Sequence, residues 1–157
     1  MGRRVGDSFV GMSQMPYSFE EIDNCYFFTS TGVREVDKMV EFELLHSNVY
    51  NLCLSDFTPD GIDDTANTNN GDIVKVLVTV IEIIADFLNR HPLATVTFRG
   101  NTDSRMNLYG RIIKRYHLQY SNLYYIGGSF VSNDRVITEA YDPNFQGQYE
   151  RYLIKRK

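Results

Sequence analysis

Residues Ile73 to Leu88, IVKVLVTVIEIIADFL, constrain this chain more than any other segment. The polar residues in and beside it are Asp72, Lys75, Thr79, Glu82, Asp86, Asn89 and Arg90, mostly three or four apart, the spacing of a helix with one polar stripe. Lys75, Glu82 and Asp86 interrupt the run, and it is too short to span a bilayer, so no membrane segment is expected. A helix this apolar must be covered on most sides by a sheet and a second element, or by another subunit. Its narrow stripe is expected to face water. Asn70 or Asp72 can cap its start, and His91-Pro92 ends it, because proline disfavours helical geometry in the residue before it.

The flanking segments read as strands and one further helix. CYFFTST (Cys25 to Thr31) is a strand, and KMVEFELL alternates Val40, Phe42 and Leu44 inward against Glu41 and Glu43 outward. A turn at His46-Ser47-Asn48 leads into VYNLCLSDF and predicts a hairpin. ATVTFRG (Ala94 to Gly100) reads as an interior strand, Asp103 to His117 as the second helix, and LYYIGGSF and QYERYLIK as the last strands. Between these two, VSNDRVITEAYDPNFQG reads as a surface connection with one more strand in RVIT. The expected fold is α+β: a mixed, mostly antiparallel sheet of about six or seven strands with two main helices packed on it. A single domain over residues 1–157 is expected, with the core from about residue 17 and residues 1–15 poorly ordered.

The chain has 157 residues, 43% of them hydrophobic and 13% aromatic, enough for a core without disulfide staples. Cys25 and Cys53 form no close-spaced pair and are expected to be reduced, and MGRRVGDSFVGMSQM lacks the pattern of a secretory signal. A cytoplasmic protein is expected. The net charge of -4 is unevenly distributed: residues 1–98 carry six Lys/Arg against fifteen Asp/Glu, a net of -9. Residues 99–117 carry Arg99, Arg105, Arg111, Lys114 and Arg115 against Asp103 alone, a net of +4.

That basic segment, TFRGNTDSRMNLYGRIIKRY, joins a strand, a glycine, an Asn-Thr-Asp cap and a helix, an arrangement that aims free amides and a positive helix end at an anion. Gly100, Asn101, Thr102, Arg105, Arg111 and Arg115 are therefore the candidate ligand residues, with Arg105 offering a bidentate fork. The same Asn, Thr and Asp are also ordinary helix starters, and neither GxGxxG nor GxxxxGK[ST] is present. A calcium loop starting at Asp56 would place Thr58, Asp60 and Gly61 correctly but has Asn67 where the bidentate Glu belongs. His46, His91 and His117 lack partners at zinc spacing, and Gly127-Gly128-Ser129 is no nucleophile elbow. Catalytic residues are not identifiable, no cofactor or metal is expected, and an enzyme is the less favoured reading. Single-stranded nucleic acid stays open through the basic residues interleaved with Tyr109, Tyr116, Tyr120, Tyr124 and Tyr125, although the acidic pI near 5.3 disfavours it.

VYNLCLSDF, NNGD-x-x-KVL-x-TV, TFRGNT-x-x-R-x-x-LY and YERYLIKRK together resemble a group of small bacterial proteins, chiefly of Bacteroidetes, defined as a domain of unknown function. The likeness spans Cys25 to Lys157 and implies no activity. The order of elements is also similar to the acyl-CoA-dependent N-acetyltransferase fold, in which a Gln/Arg-x-x-Gly-x-Gly/Ala turn binds the cofactor pyrophosphate. The equivalent ANTNNGD here keeps Gly71 but lacks the basic residue, so that likeness would place an acyl-CoA at Asn70, Gly71 and Asp72, with Tyr109 as proton donor. The favoured expectation is a non-catalytic interaction or anion-binding module, monomer or homodimer, whose partner is a protein or a small anionic ligand.

Overall fold

A computed structural model of the chain describes residues 2–4, 15–58, 61–63, 70–100 and 103–157. Among them are β1 (Gly2–Arg4), β2 (Phe19–Ile22), β3 (Cys25–Thr31), β4 (Glu35–His46), β5 (Val49–Thr58), β6 (Gly61–Asp63), helix α1 (Ile73–Arg90), β7 (Thr95–Phe98), helix α2 (Asp103–Tyr120), β8 (Tyr124–Ser132), β9 (Arg135–Ala140) and β10 (Arg151–Arg156). The class is the expected α+β one, mixed and mostly antiparallel. The strands number ten among the described residues, above the six or seven expected, but β1 and β6 have only three residues each. The contacts fall into two compact units: Met1–Glu43 with Leu52–Phe87, and Leu44–Asn51 with Leu88–Lys157.

In the first unit β1 to β5 are neighbours in chain order, and β6 folds back on β5 with Asp56 opposite Asp63. Asp23 and Asn24 turn β2 into β3, both with positive φ, a geometry that Asn and Asp tolerate better than other non-glycine residues. One sheet face carries Phe19, Tyr26, Phe28 and Val40, all buried, and α1 contributes Val76, Val80, Ile83, Ile84 and Phe87 to the same core. Phe87 stacks on Phe42 with ring centroids 3.9 Å apart. Each large apolar side chain removed from water in this way contributes about 1.5–3 kcal/mol.

The middle of the polar stripe of α1 does not face water, contrary to expectation, and only its end, Asn89 and Arg90, is exposed. Thr79, Glu82 and Asp86 are 0, 1 and 4% exposed. The stripe turns inward because the rest of the unit supplies polar partners for it. The Tyr26 hydroxyl donates to Asp86 at 2.8 Å, the Tyr17 amide donates to Thr79 Oγ1 at 2.9 Å, and the Thr79 hydroxyl donates to the Lys75 carbonyl at 2.7 Å. Leu44 was expected to point inward and is 60% exposed, since it lies where β4 leaves the first unit.

In the second unit the start of β5 runs parallel to β7, with Val49 opposite Thr95, and β7, β10, β8 and β9 follow as antiparallel neighbours. The expected RVIT strand is β9, joined to β8 by a tight Asn133-Asp134 turn in which both residues have positive φ. Helix α2 buries Met106, Ile112, Ile113 and Tyr116 and runs one turn farther than expected, to Tyr120.

Before α1, Asn70 pins the β3–β4 connection. Its Oδ1 accepts from the Arg34 amide at 2.8 Å, and its Nδ2 donates to the Arg34 carbonyl at 2.7 Å and to Ser30 Oγ at 2.9 Å. Asn70→Ala is expected to lower stability by about 2–3 kcal/mol, because it strands buried partners and removes several bonds at once. Thermal unfolding followed by circular dichroism checks this; an unchanged midpoint would show the connection to be held by something else.

Candidate functional site

The alternation of β7 and β10 decides which side chains reach the face of the second unit opposite α2. Phe98 packs on Tyr109 and Tyr152 with centroids 5.8 and 5.7 Å apart, so Thr97 points the other way, and Arg99 follows just past the end of the strand. On β10, Tyr152 and Ile154 are buried, and Arg151 and Leu153 alternate with them. The register pairs Tyr152 with Phe98, the last residue of β7, and Arg151 at the start of β10 feels the charge of Arg99 just past that end. Arg151 Nη1 donates to Thr97 Oγ1 at 3.1 Å and to Asn51 Oδ1 at 3.3 Å, so both of its fixed partners are neutral. Burial, and then the neighbouring Arg99 charge, hold the Arg151 guanidinium below its ordinary pKa. It still carries its proton at neutral pH, as arginine does in proteins.

At the end of β7 a cleft of about 340 Å³ opens between Arg99, Gly100, Asp103 and Met106 on one side and Gln148, Tyr149 and Glu150 on the other. The residues singled out from sequence distribute around it unevenly. Gly100 is buried, its amide donates to Met106 Sδ at 2.9 Å, and a Cβ there would lie 2.8 Å from the Arg105 Cβ. The glycine thus permits close passage of the first turn of α2. Asn101 and Thr102 lie outside the described residues. Arg105 is half-buried beside Tyr109, where burial raises the phenol pKa and the arginine opposes the rise. Arg111 and Arg115 are exposed one helical turn apart, and Arg115 lies over the Tyr116 ring at 5.5 Å. Arg99 is the only one of the four arginines 99, 105, 111 and 115 to border the cleft. Of the interleaved tyrosines, Tyr116 and Tyr124 are buried in the core.

The other candidate turn has its side chains engaged within the first unit. Asn70 makes the bonds described above, Gly71 takes φ 78°, and the Asp72 carboxylate accepts from the hydroxyls of Tyr17 and Ser30. A second cleft, about 570 Å³, is lined there by Tyr17, Phe27, Phe28, Thr29, Asp37, Lys38 and Phe57. Lys38 pairs with Asp56 in a buried ion pair, so the first residue of the considered calcium loop is engaged by a cation of the chain itself. Most of the remainder of that loop lies outside the described residues. Among the described residues no group of three or more His, Cys, Asp or Glu could hold a metal ion, and no helix is long and apolar enough to cross a membrane.

A family model for proteins of unknown function matches residues 13–157, nearly the whole chain. The chain belongs to the family of unknown function DUF6934. No curated protein and no solved structure matches it significantly. Membership in DUF6934 accords with the resemblance drawn from the motifs and assigns no chemistry, so the site rests on its own geometry.

Two features of this DUF6934 chain were not singled out from sequence. Arg151 was legible in principle, because the alternation in QYERYLIK opposes it to Tyr152. The second is a cluster of rings around Tyr149, which stacks on Phe145 at 4.4 Å and contacts Tyr141 and Tyr152. Gly128 makes room for it: a Cβ there would lie 2.4 Å from the Tyr149 ring. The Tyr149 hydroxyl donates to Glu139 Oε2 at 2.8 Å and accepts from the Asp142 amide at 3.1 Å. Burial above all pushes Tyr149 and Tyr152 up from 10.0 to about 12. Their neutral forms are favoured in the fold, so their contribution to stability is complete below pH 10.0 and is lost as pH rises through about 12. Alkaline titration of phenolate absorbance should show a late-ionising group of tyrosines whose amplitude falls in Tyr149→Phe, with stability dropping over the same interval. Early, uniform titration would count against a sealed cluster.

Proposed function

We propose that this protein is a non-catalytic binding module for a small anion, a carboxylate or phosphate, held between Arg99 and Arg151. The observation that carries this reading is the proximity of two arginines, Arg99 just past the end of β7 and Arg151 at the start of β10, with Arg151 fixed by the neutral Asn51 and Thr97. Two adjacent guanidinium groups repel, and an anion bridging them turns that repulsion into two charge-assisted hydrogen bonds. Asn51 and Thr97 orient the Arg151 fork without neutralising it, which is the preorganisation such a site needs. The exposed Arg111, Lys114 and Arg115 on α2 add a longer-range positive field that draws anions toward the unit. Nucleophilic chemistry finds no support at the half-buried Cys25, whose thiol is pushed up by burial and then by Glu41, Asp23 and Glu21, leaving it little thiolate.

Calorimetric titration with inorganic phosphate and with a short dicarboxylate tests the reading. Arg99→Met or Arg151→Met is expected to weaken binding about tenfold or more, since a hydrogen bond to a charged group is worth roughly 1.5–3 kcal/mol. Arg111→Gln with Arg115→Gln is expected to change affinity only about two- to threefold, mainly at low salt. Acetyl-CoA is expected to produce no shift in the amide resonances of residues 70–72. Equal affinity in wild type and both methionine variants would remove the site, and binding abolished only by the α2 variants would move it to the helix face.

A further inference from the structure

Strand β9 closes the order of its unit: it pairs with β8 along one side, and no strand pairs with its other side among the described residues. Its sequence, Arg135-Val136-Ile137-Thr138-Glu139-Ala140, contains no proline or lysine, and its two charges, Arg135 and Glu139, flank exposed apolar residues. Val136 is 73% and Ile137 40% exposed, and Val131, opposite Val136 on β8, is 49% exposed. Apolar side chains on both faces of an open edge call for a cover.

The strand is also self-complementary. The two-residue turn makes Ser132 and Arg135 a hydrogen-bonded pair, so residues 135, 137 and 139 direct their backbone groups at β8. The Tyr141 amide, donating to the Ile126 carbonyl at 2.9 Å, continues that series. Val136, Thr138 and Ala140 therefore direct their amides and carbonyls outward. A second copy of β9, antiparallel and related by a two-fold axis at Ile137, sets Val136 opposite the other copy's Thr138, with those outward groups in register. The same register sets Arg135 opposite the other copy's Glu139, twice by symmetry, and Ile137 opposite itself. These are non-hydrogen-bonded pairs, in which facing side chains stand closest. Glu139 already accepts from Tyr149, and a carboxylate has room for a further donor.

We propose that β9 is the two-fold interface of a homodimer, in which the β8–β9 hairpins of two copies join edge to edge. The occupant of the edge is a second copy because both the outward backbone groups and the charges match in one register. This inference is independent of the anion site.

Sedimentation velocity over a concentration series tests it. Wild type is expected to show a reversible monomer–dimer equilibrium. Thr138→Pro removes an outward amide while leaving the backbone ladder to β8 in place, with loss of the 2.9 Å hydroxyl contact between Thr138 and Ser129, and is expected to be a folded monomer by circular dichroism. Arg135→Glu, which sets like charges opposite each other, is expected to raise the dissociation constant about tenfold or more. A wild type that remains monomeric at high concentration, or a Thr138→Pro variant that dimerises like wild type, would overturn the proposal.

Discussion

The constraint on which the first unit depends is the burial of a helix that is not wholly apolar. Thr79, Glu82 and Asp86 run along one side of α1 and are sealed from water with it. A buried carboxyl without a partner costs several kcal/mol, so the surrounding elements must supply donors at fixed places. Tyr26 supplies one for Asp86, and the segment before β2 supplies the Tyr17 amide for Thr79 and the Tyr17 hydroxyl for Asp72. These polar contacts add directional restraint to the apolar packing of α1, because a hydrogen bond, unlike apolar contact, is lost when its partners shift by one residue. The Asn70 contacts at the β3–β4 connection extend the same logic to the helix start.

Such a helix misleads a reading based on period alone. Spacing of three or four correctly identified a helix and its stripe, but whether a stripe faces water or a set of hydroxyls depends on residues far away in the chain. Tyr26 lies 60 positions from Asp86 and Tyr17 lies 62 from Thr79. Elements with local signals were legible: β4 as a strand, though not the exposure of Leu44 on it, the Pro92 stop, the helix start at Asp103 and the turn before β5. The turn at Asn133-Asp134 was equally local, and its two αL-tolerant residues are the signal that makes RVIT half of a hairpin.

The basic segment shows the same division. Its charge was legible as composition, but α2 distributes that charge around a helix, leaving Arg111 and Arg115 outward and Arg105 against Tyr109. The neighbouring ends of β7 and β10 instead bring Arg99 near Arg151, which lies far away in the chain, and Arg151 reaches Asn51 on a third strand. Spacing in a single sequence carries no information about register between β7 and β10, so that pair was out of reach. Gly100 illustrates how one residue admits two readings until its neighbours are placed: with its amide on Met106, it serves the passage of strand into helix.

The glycines of β8 extend this to the ring cluster. Gly127 and Gly128 have no turn to make; they sit inside a strand, where glycine is normally a weakness. At both, a Cβ would meet a side chain of β10 or the segment before it, Leu153 at 2.9 Å and Tyr149 at 2.4 Å. The strand gives up side chains so that larger ones can lie across it. Tyr149 then reaches Glu139 on β9, so the outermost strand is tied to the interior by a half-buried hydrogen bond as well as by its ladder. That tie matters for an edge: a second anchor, added to the ladder, resists a slip of β9 against β8, which would move every side chain of the strand to the other face.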